Sequence, residues 1–424
     1  MKALEWKKAL ADGALAKLGL YSDPDGAAAR YVATIDRFEE TYGEGRDLLL
    51  FSVPGRTEVQ GNHTDHQHGR VLAAAIDRDL IAVVARSEEA TVRITSEGYP
   101  EDVVPLALSK CPEEVPNYSS LALIAGTVGG FEERGFSVGG FDAYTQSLVL
   151  KGSGISSSAA FEVMVGNILN HLYNGGAISN EEIAKIAQFA ENVYFGKPCG
   201  LMDQMACAVG GFVYIDFEDP KNPVIRPIDF SLSEEGYVLC IVNTGGNHAD
   251  LNEDYASVPA EMKKVAAYFG KSVLRGVTAA QIVENLPVLR KAVGDRACLR
   301  ALHFVEENER VEKTARKLAE GDISAFLDSV IASGNSSFRY LQNVYTVKNV
   351  EEQGLSVALA LSEMALSGKN CAWRVHGGGF AGTVQAFVKE EEAEGYRVLM
   401  DSVFGEGACM MLRVRKEGAI AVTL

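Results

Sequence analysis

A loop rich in glycine and serine near the middle of the chain constrains the fold more than any other feature. The run Lys151–Ala160 reads KGSGISSSAA and follows the apolar run Ser147–Leu150, and a helical pattern comes after it. Glycine lets the main chain approach an anion, successive N–H groups point into one concavity, and the N-terminus of the next helix attracts negative charge. The pattern predicts a cradle for the phosphates of a nucleotide, with an ordinary turn as the alternative.

Two other segments carry unusual patterns. The first, Pro54–Gly69, reads PGRTEVQGNHTDHQHG, and its Asn, His, Asp and Gln side chains are of the kind that tells sugar hydroxyl patterns apart. Its histidines His63, His66 and His68 could instead bind a metal ion such as zinc. Metal-binding helices space their histidines one turn apart, whereas this segment is a loop bracketed by glycines, so polar contacts to a sugar are favoured.

The second segment, Arg374–Val384, reads RVHGGGFAGTV. Its run Gly377–Gly382 is too rich in glycine for an ordinary strand or helix. We expect it to bring main chain close to a ligand or to a second domain, with a flexible connection as the alternative. An alternating apolar pattern after it indicates a strand.

Asp203 is the strongest candidate for a catalytic carboxylate. It lies in CGLMDQMACA, among apolar residues and glycine, where a carboxylate is poorly solvated and needs a cation or a substrate hydroxyl. Arg56 is a suitable partner, because an arginine keeps the carboxylate ionised and offsets the charge of a developing alkoxide. A helix cap or a structural ion pair is the alternative interpretation.

Composition excludes several classes of protein. The 424 residues suggest two domains, and a net charge of −17 without a dense Lys/Arg cluster argues against binding to nucleic acid or to anionic membranes. No apolar run reaches the roughly 20 residues of a membrane helix. The charged N-terminus lacks a signal core, and the seven cysteines are dispersed, so we expect a soluble, cytoplasmic protein without a disulfide framework.

The pattern of elements predicts a mixed α/β architecture. Residues 1–45 have helical spacing, and strands are predicted over 48–53, 80–85 and 90–95, the last two as a pair. Strands and helices then alternate as far as the turn-rich stretch 219–223, which is the predicted domain boundary. Several long helices and two closing strands follow.

Taken in order, these segments resemble the galactokinase branch of the GHMP small-molecule kinases across nearly the whole chain. Pro54–Arg56 with His63–Asp65 is similar to the galactokinase signature, Gly154–Ala159 to the phosphate loop, and Gly377–Gly382 to the third motif. The run from Ala190 to Gln204 is the match most specific to galactokinases. The resemblance implies an α/β (α+β) two-domain GHMP kinase fold.

The implied domains are a ribosomal-protein-S5-domain-2-like domain over 1–217 and a ferredoxin-like α+β domain over 218–424, with the active site in the cleft between them. The implied activity is phosphorylation of the C1 hydroxyl of galactose, with ATP and Mg²⁺ as cofactors. A small sugar and ATP are the expected partners, and nothing in the sequence points to a protein partner.

The resemblance also implies the site residues. Asp203 takes the place of the catalytic aspartate and Arg56 that of its partner, while Ser158 and Glu191 fall on the magnesium positions. The ATP-binding set is Gly152, Ser153, Gly154, Ile155, Ser156, Ser157, Ser158 and Tyr118. The substrate-binding set is Asn62, His63, Asp65, His66, Gly200 and Tyr255.

The departures from the family pattern concern the sugar and the adenine. Asn62 and His66 stand where the family has Glu and Tyr, and the replaced acid usually contacts the hydroxymethyl end of galactose. A neutral amide removes a repulsion, so galacturonate or N-acetylgalactosamine becomes an alternative substrate. The tryptophan expected just before Asn117 is missing, and Pro116 lies near its place. A sugar sensor without turnover is a further alternative, although the serine loop and the catalytic pair are complete.

Overall fold

The computed structural model describes residues 1–149, 154–197, 199–246 and 251–423. These residues form two compact units. Unit 1 contains Met1–Arg56, Ala75–Gly211 and Arg415–Leu424, and unit 2 contains Thr57–Ala74 and Phe212–Val414. The units are therefore interleaved along the chain, and the expected cut into family domains after residue 217 stays a prediction.

Helices and strands alternate through much of the chain. The helices are α1 (Ala3–Ala11), α2 (Pro24–Tyr42), α3 (Ser120–Glu133), α4 (Ser157–Tyr173), α5 (Asn180–Phe189), α6 (Met202–Val209), α7 (Asn252–Tyr268), α8 (Ala279–Val293), α9 (Asp295–Ala319), α10 (Ile323–Ser336), α11 (Gly354–Leu366) and α12 (Glu390–Phe404). The strands are β1 (Leu49–Gln60), β2 (Arg70–Arg86), β3 (Thr91–Ser96), β4 (Asp102–Pro105), β5 (Phe141–Ser147), β6 (Phe212–Asp216), β7 (Val224–Ile228), β8 (Tyr237–Asn243), β9 (Ala372–His376), β10 (Thr383–Lys389), β11 (Cys409–Leu412) and β12 (Ile420–Val422). Among the described residues, no helix has both the length and the apolar character of a membrane span.

The helices predicted before residue 45 are confirmed as α1 and α2. Asp23 caps α2 by accepting a hydrogen bond from the N–H of Gly26, at 2.9 Å, and Pro24 occupies the first helical position. Apolar side chains of both helices pack on the first strands in a buried cluster. That cluster includes Trp6, Leu10, Tyr31, Ile35, Phe38, Leu50, Ile81 and Val83.

The sheet of unit 1 has the order β12-β1-β2-β5-β3-β4. The predicted pairing of 80–85 with 90–95 is wrong, because β5 lies between β2 and β3, antiparallel to the first and parallel to the second. A central position suits β5, since Phe141–Thr145 are all buried. Its buried Asp142 accepts hydrogen bonds from Arg46 and Arg93, which compensates for the loss of hydration.

Close helix packing sets the position of a π-helical turn, Ala190–Phe195, that continues α5. The face of α3 towards this turn carries glycine: a Cβ added at Gly126 would lie 2.8 Å from the Cα of Ala190. The next residue after Ala190 is Glu191. Such turns within a helix are frequent at functional sites.

Unit 2 contains a four-stranded antiparallel sheet, β11-β8-β10-β9, covered by helices, and it also contains β6 and β7. The glycine-rich segment connects β9 to β10, whose pairing starts at His376 and Thr383. The strand predicted after this segment is confirmed as β10. Neither β9 nor β12 was predicted from the sequence, because both are short and lack a clear alternating pattern.

A buried carboxylate joins several parts of unit 1. Asp79 of β2 accepts hydrogen bonds from the hydroxyls of Tyr21 at 2.7 Å and Ser52 at 2.6 Å, and from a guanidinium N–H of Arg30 at 2.9 Å. A guanidinium nitrogen of Arg415 lies 3.5 Å from the same carboxylate. Asp79 is fully buried, so these contacts replace its hydration and tie the N-terminal helices and the C-terminal segment to the sheet.

We expect Asp79→Asn to lower the free energy of unfolding by about 3–5 kcal/mol, because the buried Arg415 and the partly buried Arg30 lose their counter-charge. Urea denaturation followed by circular dichroism measures this loss. The control is Asp47→Asn, whose side chain is 78 % exposed beside Lys2, and it should keep the wild-type midpoint. A wild-type midpoint for Asp79→Asn would contradict the assigned role.

Candidate active site

An arginine and an aspartate form a bidentate pair in unit 1. Arg56 of β1 donates from Nε to Oδ1 of Asp203 at 2.7 Å and from Nη2 to Oδ2 at 3.0 Å. Asp203 lies in the first turn of α6, where the helix dipole also favours a negative charge. The pairing expected from the poor solvation of Asp203 is therefore present, in the geometry that fixes both planar groups.

The serine loop provides further partners for this pair. Ser156 donates its hydroxyl to Oδ2 of Asp203 at 2.5 Å, and the carbonyl of Gly154 accepts from Nη1 of Arg56 at 2.6 Å. Gly55 allows the close approach, since a Cβ there would lie 2.8 Å from the carbonyl oxygen of Ile155. The pair and the loop thus form one hydrogen-bonded assembly.

The electrostatics keep Asp203 ionised. Burial by itself would raise the pKa of this carboxyl, but the charge of Arg56 and the hydrogen bonds from Arg56 and Ser156 outweigh it and hold the pKa below its ordinary value. Asp203 is therefore a hydrogen-bond acceptor at neutral pH. A carboxylate of this kind orients a hydroxyl and is a weak base.

The predicted phosphate loop leads directly into α4. Gly154 and Ser156 have positive φ angles of 75° and 62°, and α4 begins at Ser157. Such alternation of conformations before a helix turns main-chain N–H groups towards one concavity. Ile155 is buried, whereas Ser157 and Ser158 are partly exposed. Two predicted ATP-binding residues, Gly152 and Ser153, lie outside the described residues.

The two predicted magnesium ligands are neighbours. The hydroxyl of Ser158 lies 3.5 Å from Oε1 of Glu191, and Lys197 places its ammonium 3.1 Å from the same oxygen. Hydroxyl and carboxylate oxygens are the donors that Mg²⁺ prefers, so the donor set fits this ion. The contact with Lys197 shows that the carboxylate already attracts a cation.

A second carboxylate, that of Glu162, is connected to Glu191 through Gln204. The amide nitrogen of Gln204 donates to Oε2 of Glu191 at 2.7 Å and to Oε2 of Glu162 at 3.2 Å. Glu162 is fully buried, and its desolvation, followed by the charge of Glu191, raises its pKa well above the ordinary value. Glu162 and Gln204 were not predicted as site residues, because a single glutamate in an apolar helix gives no sequence signal of this contact.

The predicted adenine contact, Tyr118, is an exposed aromatic. Its side chain has 70 % of its surface exposed, and its ring packs edge-on against Phe195 with centroids 5.3 Å apart. Its main chain has a positive φ of 58°, and its N–H donates to the carbonyl of Phe195 at 3.1 Å. The ring is thus held on the surface at the end of the π-helical turn that contains Glu191.

The predicted sugar loop is the polar segment between Gly61 and Gly69, in unit 2. His63 donates from Nε2 to the carbonyl of Gly378 at 2.8 Å, and burial lowers its pKa to about 4, so the ring is neutral at pH 7. Nδ1 of His66 lies 2.8 Å from Oδ1 of Asp65. The charge of Asp65 raises the pKa of His66. These residues bring a neutral imidazole, a carboxylate and a titratable imidazole together.

Asn62 is fully buried at the start of this loop. Its side-chain N–H groups donate to Oε1 of Glu58 at 3.0 Å and to the carbonyl of Gly377 at 2.6 Å. Its carbonyl oxygen accepts from the amide of Asn343 at 2.6 Å. The substrate contact predicted for Asn62 stays a prediction, and its amide is already engaged by protein groups.

The glycine-rich segment packs against Tyr255 of α7. The hydroxyl of Tyr255 donates to the carbonyl of Gly379 at 2.8 Å, and a Cβ on Gly378 would lie 2.7 Å from the Tyr255 ring. The segment therefore needs glycine for a close approach of main chain to a side chain of its own unit, and its expected approach to a ligand or to a second domain stays a prediction. Gly200 belongs to unit 1 and lies just before α6; its predicted sugar contact is untested.

Two buried residues of α9 support the sugar loop and were not predicted. His303 donates from Nε2 to the carbonyl of Asn62 at 3.0 Å and accepts from the hydroxyl of Ser336 at 2.9 Å. Glu307 accepts from the N–H of Gly61 at 3.1 Å. The only signal in the sequence is their spacing of four residues, which places both on one helix face.

The buried His303 should lower the stability of unit 2 at acid pH. Burial lowers the pKa of His303 to about 4, against about 6.5 in the unfolded chain, so the unfolded state binds more protons between these values. Stability is then lost as the pH falls below about 6.5, by about 1.4 kcal/mol at pH 5.5. The effect of His66 on the pH dependence of stability has the opposite sign, because its raised pKa gives stability at low pH that is lost as the pH rises.

We expect His303→Gln to lose less stability than the wild type between pH 7.5 and 5.5, and His66→Gln to lose more. Urea unfolding of the three proteins at both pH values measures the difference. Equal acid sensitivity of all three proteins would show that neither histidine contributes in the folded state as assigned.

Comparison with known proteins gives a consistent result. The galactokinase galactose-binding signature matches residues 36–86, and the GHMP kinases N-terminal domain matches residues 122–211. A galactokinase of Streptomyces coelicolor is 32 % identical over 89 % of this chain and 94 % of its own, and one of Streptomyces lividans is 31 % identical over 85 % and 87 %. Among solved structures, Lactococcus lactis galactokinase complexed with galactose has a TM-score of 0.77 at 22 % identity, covering 93 % of this chain and all of its own. A mevalonate kinase has a TM-score of 0.61 at 16 % identity, covering 87 % of this chain and all of its own, which extends the likeness of fold to other GHMP kinases.

Proposed function

This chain belongs to the galactokinase family, and on that basis we propose that it transfers the terminal phosphoryl group of ATP to the anomeric (C1) hydroxyl of galactose. The observation that carries the proposal is the bidentate pair of Arg56 and Asp203, bonded to the serine loop that leads into α4. The names of the curated relatives support the substrate. Such a reaction belongs to a compartment that holds ATP and sugar, and we place the protein in the cytoplasm.

Asp203 orients the sugar hydroxyl. Its low pKa makes it a weak base, so it accepts a hydrogen bond from the hydroxyl and takes the proton only as the oxygen bonds to phosphorus. The bond between the terminal phosphorus and the bridging oxygen breaks, and ADP leaves with its electron pair. Arg56 keeps Asp203 ionised beforehand and offsets negative charge in the transition state. Positioning and electrostatics together are what phosphoryl transfer requires.

The serine loop binds the phosphates in this proposal. The residues Gly152 to Ser158 supply main-chain N–H groups, and the N-terminus of α4 adds a favourable dipole. Tyr118 offers its exposed ring to the adenine.

Ser158 and Glu191 hold the magnesium ion that accompanies ATP. The bound ion would neutralise phosphate charge and help to align the transferred group. Within the chain, Gln204 fixes one oxygen of Glu191, which leaves the oxygen near Ser158 and Lys197 for a cation.

The sugar loop of unit 2 recognises the hydroxyl pattern. We assign sugar contacts to Asn62, His63, Asp65, His66, Gly200 and Tyr255. Because Nε2 of the neutral His63 ring donates to Gly378, its Nδ1 is an acceptor. The carboxylate of Asp65 is a strong acceptor. The neutral amide of Asn62 keeps a C6- or C2-modified galactose as the second candidate substrate.

Asp203→Asn should reduce ADP formation at least a thousandfold, since the amide neither accepts the proton nor matches Arg56. Initial rates with Mg-ATP and galactose, galacturonate, N-acetylgalactosamine or glucose give the test, and calorimetry should show that ATP binding is retained. Turnover of galactose by the wild type supports the proposal. Retained turnover by Asp203→Asn would refute the catalytic role. If the wild type forms no ADP with any of these sugars, a sugar sensor is favoured.

Glu191→Gln should raise the Mg²⁺ concentration for half-maximal rate roughly tenfold or more, because one anionic ligand becomes neutral. Rates measured over a magnesium titration at fixed ATP give this value. Glu181→Gln, an exposed change in the first turn of α5, should behave as the wild type. An unchanged magnesium requirement in Glu191→Gln would exclude Glu191 as a ligand.

A further inference from the structure

The neutral amide of Asn62 does not leave the sugar loop without a carboxylate at this point. Asn62 Nδ2 donates to Oε1 of Glu58 at 3.0 Å, and Glu58 lies four residues earlier, in β1. Glu58 and Asn62 are both buried in unit 2. The amide of Asn62 and the carboxylate of Glu58 form one hydrogen-bonded pair. A negative charge therefore lies directly beside the Asn62 side chain.

The charge of Glu58 reaches the rest of the loop. It contributes to the raised pKa of His66, whose main cause is Asp65. It also opposes the effect of burial, which lowers the pKa of Arg374. Glu58 and Asp65 therefore carry the negative charge of the segment that contains the loop, and His63 is neutral. Another carboxylate in contact with the loop, Glu307 of α9, accepts from the N–H of Gly61 and is paired with Arg310.

We propose that Glu58 makes this loop selective for an uncharged sugar and rejects a hexuronate. The inference rests on the proposed function, because it takes the loop as the sugar site. A carboxylate on the sugar would be the third at a site that already holds Asp65 and the buried Glu58, and it is repelled, whereas a hydroxyl can donate to the same oxygens. Glu58 thereby removes the main reason to expect galacturonate as the substrate.

The wild type itself provides the first test, without any variant that could misfold. Galacturonate and galacturonamide have nearly the same shape and differ in charge. Rejection by charge predicts that kcat/KM for galacturonamide exceeds that for galacturonate roughly a hundredfold. Equal rejection of both would mean that size excludes them and would overturn the role of Glu58.

Glu58→Gln identifies the responsible residue. The ratio of kcat/KM for galactose to that for galacturonate should fall about tenfold or more, mainly through a lower KM for galacturonate. Glu58→Asp keeps the charge and should keep most of the preference. Glu309→Gln makes the same charge change at an exposed position of α9 and should leave the ratio unchanged.

A purely structural role for Glu58, holding Asn62 in place, predicts a different result. Glu58→Gln would then lower kcat/KM for both sugars by the same factor. An unchanged ratio of kcat/KM for galactose to that for galacturonate overturns the inference. Calorimetric binding of the same sugars separates this failure from failure of the proposed function. If the wild type phosphorylates no sugar, the proposed function fails, and the binding preference of wild type against Glu58→Gln still decides on Glu58.

Discussion

The pairing of Arg56 with Asp203 is the interaction on which the candidate active site of this protein depends. Burial alone would raise the pKa of the Asp203 carboxyl, and the arginine outweighs this effect. The arginine in turn needs the carbonyl of Gly154, and the carboxylate needs the hydroxyl of Ser156. Because these partners belong to the serine loop, the geometry of the loop and the charge of Asp203 are fixed together. Gly55 belongs to the same constraint, since a side chain there would displace the loop.

Much of this arrangement follows from local chemistry and could be predicted from sequence. An aspartate among apolar residues needs a cation, and the glycines and serines before α4 indicate an anion site. The position of β5 could not be predicted, because strand order depends on pairings over long distances in the chain. The support from His303 and Glu307 was also missed, because buried polar residues in a charged helix resemble its exposed residues until the packing is known. The ATP-binding and sugar-binding assignments stay predictions.

Position 62 shows why one substitution in a motif is a poor guide to charge. By sequence, Asn62 removes a carboxylate from the loop and admits an acidic sugar. In the structure the amide of Asn62 donates a hydrogen bond to Glu58, so a carboxylate is still present, at position 58 and not at position 62. Electrostatic potential depends on which charges are near in space, and a motif compares only equivalent positions. If Glu58 controls the choice of sugar as proposed, the specificity of the loop is a property of the Glu58–Asn62 pair.

The position of the new phosphate on the sugar tests the proposed chemistry most directly. Two-dimensional ³¹P–¹H NMR of the product formed from Mg-ATP and galactose identifies the carbon that carries the phosphate. Asp203 acting on the anomeric hydroxyl predicts a phosphorus coupled to the proton on C1. A phosphate on any other carbon, or inorganic phosphate without a sugar phosphate, would contradict the assignment.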